Sequence, residues 1–559
     1  MASNQNYTTE KYTTLRDMYR DCAQKFADKA LFMQKENGEY KSYSYSRFAA
    51  DVEGLGTALL SKGFGGAHVI ILGDNSYAWM QAYMAVICGV GVVVPVDKAS
   101  SAERLCELCD IADATAIIYA DKYAEAVQAL GESVKKVAFS ELDALTAEGK
   151  TLLEGGNRDY ADAKLDETEM CALLFTSGTT GKSKGVMLSH RNLCFNLSEF
   201  CQMIYLDQND VVLSMLPLHH SAESTCGVLC PMSRGATVAF AESLRNVMRN
   251  MQEVSPTVIN CVSLFMETIY NKLWATIKKQ GLEKRVKMGI KATNLLRPER
   301  ARTIAKRKLF ASIHKNFGGN LRLMLSCGTA AKPHVLAGLR EFGITAIQSY
   351  GLTECAPLAA INRDLNSNDA SAGTATPNAL LDIYDIQENG TGEIRYRGDN
   401  IMLGYYKMPE LTADVIRNGW LYTGDLGRLD ENGFLYITGR KKNVIVSATG
   451  KHISPEELEL LLTQNAFVRD AVVIGKLNTE KNDYDIIAVI QPDIPHVVEV
   501  FGRHYSQSQI DLEIKKAISE VNASVEPFKR ISSYILRKED FPKNTSGKIY
   551  RDPILAEYL

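Results

Sequence analysis

The sequence predicts an α/β protein: a large N-terminal domain of parallel-type α/β subdomains with a small β section, followed by a mobile C-terminal α+β domain. Three observations carry that prediction. Strand-like and helix-like runs alternate in the first part of the chain, a period-two, glycine-punctuated stretch begins near Gly392, and after residue 440 the chain restarts with its own set of elements. The length of 559 residues also exceeds what one growing core accommodates. These features place domains at residues 1–440 and 441–559.

In order, Thr14 and Asp17 offer a helix cap ahead of Leu15, Met18, Tyr19, Cys22 and Phe26, which recur at helical spacing. A strand over 69–72, a helix over 77–88, a strand over 90–96, a helix over 101–109 and a strand over 115–119 imply a parallel sheet covered on both faces. Residues 393–397 alternate with period two, and short strands surround 430–438. Arg440, Lys441 and Lys442 fall between two differently built domains, so Lys442 is the expected hinge. Beyond it, Ser454, Pro455 and Glu457 predict an N-cap, a first-turn proline and a capping-box acid. Strands over 471–475 and 486–491, a helix carrying Ile510, Ile514, Ile518 and Val521, and a strand over 534–536 complete the set.

With a formal net charge of -3, no global charge points to nucleic acid, and steering falls to local patches. Twelve cysteines, mostly inside apolar runs, read as buried thiols in a reducing cytoplasm, including Cys106 and Cys109 despite their redox-motif spacing. The first residues lack a signal-peptide core, so a cytoplasmic protein is expected, with peripheral attachment at a membrane surface left open. Residues 78–96 carry no charge, but Gly89, Gly91 and Pro95 break them into a helix and a buried strand, so no integral membrane segment is expected. Oligomeric state is not legible.

The sharpest local signal is Thr176-Ser177-Gly178-Thr179-Thr180-Gly181-Lys182-Ser183-Lys184-Gly185. Its glycines let amides turn toward an anion, its hydroxyls add donors and its lysines add charge, which suits a polyphosphate. It is not a Walker loop, because Thr176 stands where that spacing needs glycine. Further along come Tyr350-Gly351-Leu352-Thr353-Glu354, Tyr422-Thr423-Gly424-Asp425, Gly439-Arg440, and a final run from Pro542 to Lys548. With these five motifs in this order, the chain resembles the adenylate-forming (AMP-binding) superfamily of acyl-CoA synthetases, adenylation domains and luciferases.

The resemblance implies ATP, Mg²⁺ and coenzyme A as cofactors, and a role for each motif. Thr176, Ser177, Thr179 and Lys184 would hold the β- and γ-phosphates, in a loop shaped by Gly178, Thr180 and Gly181. Glu354 would bind Mg²⁺. Tyr350, with Gly351 and Thr353, and the stretch Gly328, Thr329 and Ala330 would flank the nucleotide. Asp425 would accept from the ribose hydroxyls, and Arg440 would add a ribose contact. Lys548 would bridge the substrate carboxylate and the α-phosphate, where a fixed cation counts most in the transition state. His220, ending Leu216-Pro217-Leu218-His219-His220, aligns with the ring beside the acyl pocket, and Gly450 and Lys451 with the loop that serves CoA.

The sequence departs from the family pattern at Ser326-Cys327-Gly328, at Val262-Ser263 and at Asn443. Ser221 stands where amino-acid-activating relatives place an aspartate for the substrate ammonium, which disfavours free amino acids. The long charged insertion between Trp274 and Phe317 resembles medium- and long-chain fatty acyl-CoA synthetases. The expectation is therefore an AMP-forming acid-thiol ligase acting on a fatty acid, with an aryl acid second. CoA is the first acceptor and the phosphopantetheine of an acyl carrier protein the alternative. A luciferase-like oxygenase and an inactive acyl-nucleotide-binding regulator are rivals from other classes; the second would normally lack Lys548, Glu354 or Asp425.

Overall fold

The computed structural model of the chain describes residues 6–176, 183–297, 299–388, 390–448, 451–481, 483–543 and 548–559. Packing divides it into two compact units, residues 1–381 with 396–421, and residues 382–395 with 422–559.

The first unit holds two large sheets. One runs Thr374–Ala375, Leu358–Ile361, Thr345–Gly351, Leu323–Ser326, Val258–Cys261, Val211–Ser214, Thr237–Phe240, Ala30–Glu36, Glu39–Ser44. Its strands from Thr345–Gly351 to Ala30–Glu36 are parallel, and antiparallel pairs close both ends. The second runs Gly404–Tyr405, Lys184–Ser189, Met170–Thr176, Gly91–Val96, Ala67–Leu72, Ala116–Tyr119, Lys135–Ala138, again with a parallel interior. Strands such as Ala67–Leu72 read as continuous apolar runs because helices cover both faces, and Val69, Ile70 and Ile71 are fully buried.

Thr14 caps the helix Leu15–Lys25 as expected, in a reciprocal box with Asp17. The helix expected over 77–88 ends at Ala85, a π-turn Val86–Val90 follows, and the strand begins at Gly91. Among the described residues no helix is long and apolar enough to cross a membrane. Cys106 and Cys109 bond to separate carbonyls, those of Ala129 and Ala114.

In the second unit, strands Val468–Asn478, Asp483–Pro492 and Ser533–Leu536 form one sheet, covered by helices Pro455–Thr463 and Gln507–Ser524. Ile510, Ile514, Ile518 and Val521 are buried, as their spacing predicts. The capping box expected at Ser454 does not form: its hydroxyl makes no cap bond, and the Glu457 carboxylate instead takes the buried Lys529 ammonium at 3.0 Å, a charged donor that outcompetes a backbone amide. The expected β section is a second sheet that includes Gly392–Arg397, Trp420–Leu429 and Leu435–Arg440. Lys442 lies in the short 3₁₀ turn Lys441–Asn443 directly after it.

Candidate active site

Parallel sheets collect ligands beyond the carboxyl ends of their strands, and the first unit places its predicted residues there. Thr176 ends its strand and pairs in register with Lys184, which begins the antiparallel return. Ser177, Gly178, Thr179, Thr180 and Gly181 lie outside the described residues. The Lys184 ammonium sits 5.1 Å from the centre of the Tyr405 ring, and the Tyr405 hydroxyl donates to Glu354 Oε1 at 2.8 Å. Cation, ring and carboxylate thus form one chain. One hydrogen bond fixes the Glu354 carboxylate while leaving most of its acceptor capacity, which fits a hard cation such as Mg²⁺.

Tyr350 and Gly351 end the strand that leads to the Thr353–Cys355 turn carrying Glu354. Gly351 is required by a close approach, because a Cβ there would lie 1.8 Å from the Pro357 carbonyl oxygen. The neighbouring strand delivers Gly328, at φ +87°, then Thr329 and Ala330. The departures from the family pattern have partners here. Ser263 shares a 2.8 Å hydrogen bond with the Thr329 hydroxyl, which a proline could not make, and Ser326 donates to the Thr329 carbonyl.

His220 follows the strand Val211–Ser214. Its ring centre lies 4.1 Å from that of His219, whose Nε2 is 3.6 Å from the Asp97 carboxylate. Burial, and then the neighbouring imidazole, pull His219 down to about 3; burial also lowers His220, against the pull of Asp97. Both rings are neutral at pH 7, suited to packing and hydrogen bonding rather than to holding charge.

Behind them lies Glu223, fully buried in the π-helical turn Ala222–Leu229. Ser214, Asn260 and the Met215 and Leu216 amides face its carboxyl and favour the anion, but neither oxygen has a hydrogen-bond partner. Burial wins and pushes its pKa up to about 8. The sequence pointed to neither Glu223 nor Asp97 nor Tyr405. Asp97 could have been found as the acid directly after a parallel strand; the other two carry no local signal.

In the second unit a register sets the geometry. Asp425 stands directly opposite Arg440 on the antiparallel pair, and Arg440 Nε reaches Asp425 Oδ1 at 2.8 Å. Asp425 is 4% exposed. Glu393 supports both ends of this pair, accepting from the Gly424 amide at 3.2 Å and from Lys441 at 2.8 Å. Lys548 joins the cluster. Desolvation, and then Arg440, push its pKa down to about 8, while Asp425 and Glu456 oppose. The residue remains exposed to water, which screens that cost, so the downward direction is what bears on the chemistry. Asn443 donates its amide to Glu456, a contact two carboxylates could not make. The Lys451 ammonium rests 4.6 Å from the centre of the Phe528 ring, and Gly450 lies outside the described residues.

Comparison with known proteins identifies the family. Residues 19–406 match the family described as AMP-binding enzyme, and residues 442–559 match its C-terminal domain. "Long-chain-fatty-acid--CoA ligase 1" of Homo sapiens is 26% identical, over 91% of this chain and 80% of its own. "Long-chain-fatty-acid--CoA ligase FadD15" of Mycobacterium bovis is 26% identical, over 93% of this chain and 90% of its own. Among solved structures, an anthranilate CoA ligase in complex with anthranoyl-AMP superposes with a TM-score of 0.77 at 16% identity, covering 98% of this chain and 97% of its own. A Mycobacterium tuberculosis fatty acyl CoA synthetase superposes at 0.67 and 20% identity, covering 98% of each chain; at these identities both likenesses speak for the fold. The chain belongs to the AMP-binding enzyme family.

Proposed function

We propose, from membership of the AMP-binding enzyme family, that this protein is an ATP-dependent carboxylic acid:CoA ligase whose acid is a fatty acid. The observation that carries the reading is the Asp425–Arg440 cross-strand pair, whose charges act on the Lys548 ammonium. Asp425 would accept from ribose hydroxyls, and Arg440 and Lys548 would supply positive charge to anions. In the first step a substrate carboxylate oxygen attacks the α-phosphorus and pyrophosphate leaves. Lys548 offsets the repulsion as the two anions converge, and Thr176 and Lys184 bind the departing phosphates. Mg²⁺, which Glu354 would hold, supplies Lewis acidity to phosphate oxygens. In the second step the CoA thiolate attacks the acyl carbonyl, AMP leaves with the bonding pair, and the thiol proton goes to solvent.

Three features support a fatty acid: the buried Ser221 where an ammonium partner would stand, the helical insertion after Trp274, and the names of the 26%-identical relatives. We place the enzyme in the cytoplasm with peripheral attachment to a membrane. The test is a panel of fatty, aryl and amino acids assayed for AMP and pyrophosphate release, with CoA, with an acyl carrier protein, and with neither. Fastest thioester formation from a fatty acid and CoA is expected; an aryl acid or a carrier protein taking first place would overturn the corresponding part.

The residues that serve CoA, Gly450 and Lys451, and the adenylating Lys548 belong to different segments of the domain 441–559, which we propose turns about Lys442 between the two steps. Proline fixes φ near -65°, so Lys442→Pro is expected to leave single-turnover pyrophosphate release near normal while acyl-CoA formation falls more than about tenfold. Thioester formation at the wild-type rate in the folded variant would rule out a hinge there.

A further inference from the structure

The insertion carries a surface that the reaction does not use. Between residues 278 and 315 stand thirteen lysines and arginines against two glutamates, a formal +11 in a chain of net -3, which leaves -14 for everything else. Helices Glu283–Asn294 and Glu299–Leu309 form the body of this segment in the first unit. Ile277, Ile290 and Phe310 bury into the core, and the Arg307 guanidinium caps the Leu321 and Gly319 carbonyls at 2.8 and 3.1 Å. The segment is thereby anchored without its outer residues. Those outer residues are apolar as well as basic: Leu295 is 84% exposed, Met288 65%, Ile304 56% and Leu309 52%. Lys284, Lys291 and Arg297 are exposed alongside them.

We propose that this basic, aliphatic-tipped helical pair docks on an anionic membrane surface, with Leu295 and Leu296 entering the headgroup boundary and the lysines and arginines facing lipid phosphates. The proposal deepens the peripheral attachment proposed above. Anionic lipid attracts each nearby Lys or Arg, and exposed aliphatic side chains add apolar area that a bilayer can bury. A nucleic acid would match the charge, but base stacking needs exposed aromatic rings, and Trp274, Phe310 and Phe317 are buried or half-buried. For an enzyme whose acid partitions into membranes, such a face brings the substrate's reservoir to the protein.

The test is sedimentation of the full chain with vesicles of phosphatidylcholine alone, and of phosphatidylcholine and phosphatidylglycerol at roughly two to one, with no acid, ATP or CoA present. Its outcome is therefore independent of whether the ligase reading holds. Binding to the anionic vesicles that weakens with salt is expected. Lys284→Gln, Lys291→Gln and Arg297→Gln together should lower that partitioning roughly 100-fold, at about fivefold per charge. Leu295→Ser with Leu296→Ser should lower it too, and both variants should keep wild-type turnover of a water-soluble short-chain acid. No binding to anionic vesicles, binding unchanged in both variants, or binding abolished by stoichiometric RNA would each overturn the proposal.

Discussion

Two buried carboxylates, one in each unit, solve the same electrostatic problem in opposite ways. Asp425 is 4% exposed and is held by a guanidinium directly across the strand pair. Glu223 is 0% exposed, has no partner on either oxygen, and keeps its proton up to about pH 8. An antiparallel register guarantees a facing side chain every second residue, whereas a π-helical turn at the end of a parallel strand guarantees none. The paired acid is available to accept hydrogen bonds from a ligand. The unpaired one is a neutral group on which the loop carrying His220 rests.

The contrast can be broken at Glu223 first, where the expected effect is largest. The unfolded chain ionises Glu223 near 4.5, and the folded one near 8. Across that window the folded state holds a proton that the unfolded state has released, so stability is lost as pH rises, by as much as about 4–5 kcal/mol at 1.4 kcal/mol per unit. Glu223→Gln keeps the shape and removes the titration. Its Tm should match the wild type below about pH 4 and exceed it increasingly toward pH 8. Parallel Tm curves for the two proteins would show that Glu223 is charged, and the comparison with Asp425 would collapse.

Lys548 comes next. Lys548→Ala should slow acyl-adenylate formation about 10²- to 10³-fold, some 3–4 kcal/mol, while preformed acyl-adenylate still reacts with CoA. Because its pKa is lowered, adenylation by the free enzyme should also decline as pH rises, at a lower pH than an ordinary lysine would give, and the Ala variant should lack that limb. Equal damage to both half-reactions would remove Lys548 from its assigned place. Asp425→Ala deletes the accepting half of a charged pair, worth about 1.5–3 kcal/mol. The ATP requirement should rise roughly tenfold or more with the acid requirement little changed, and a change confined to the acid would show that Asp425 does not serve the nucleotide.

Much of this was legible in the sequence, and the parts that were not have physical reasons. The alternation of elements over 69–119 and the buried stripe Ile510, Ile514, Ile518 and Val521 follow from periodicity, which survives tertiary context. Lys184, Glu354, Asp425, Arg440 and Lys548 stood in recognisable motifs. Tyr405 did not, because its contact with Glu354 depends on the short strand Gly404–Tyr405 adding to a sheet edge more than two hundred residues after its neighbour began. The Ser454 cap failed for a similar reason: Glu457 met a buried lysine from a distant turn. Local grammar offers candidates, and long-range charge chooses among them.

The smallest expected effect sharpens the second unit's side of the comparison. Asn443 donates to Glu456, and Glu456 in turn favours the charged form of Lys548. Asn443→Asp would exchange a hydrogen bond for a second carboxylate beside the first. Glu456 is 27% exposed on its side chain, so water screens the repulsion and the loss of stability should be only about 0.5–1 kcal/mol. The added negative charge should at the same time stabilise the Lys548 ammonium and move the alkaline decline of adenylation to higher pH. The two signs are opposite, lower stability with a wider alkaline range, and a merely structural role for Asn443 would move only the first. Urea unfolding and single-turnover adenylation across the alkaline range, measured on the same variant, separate them; an unmoved limb would mean that Glu456 and its neighbour do not act on Lys548 at all.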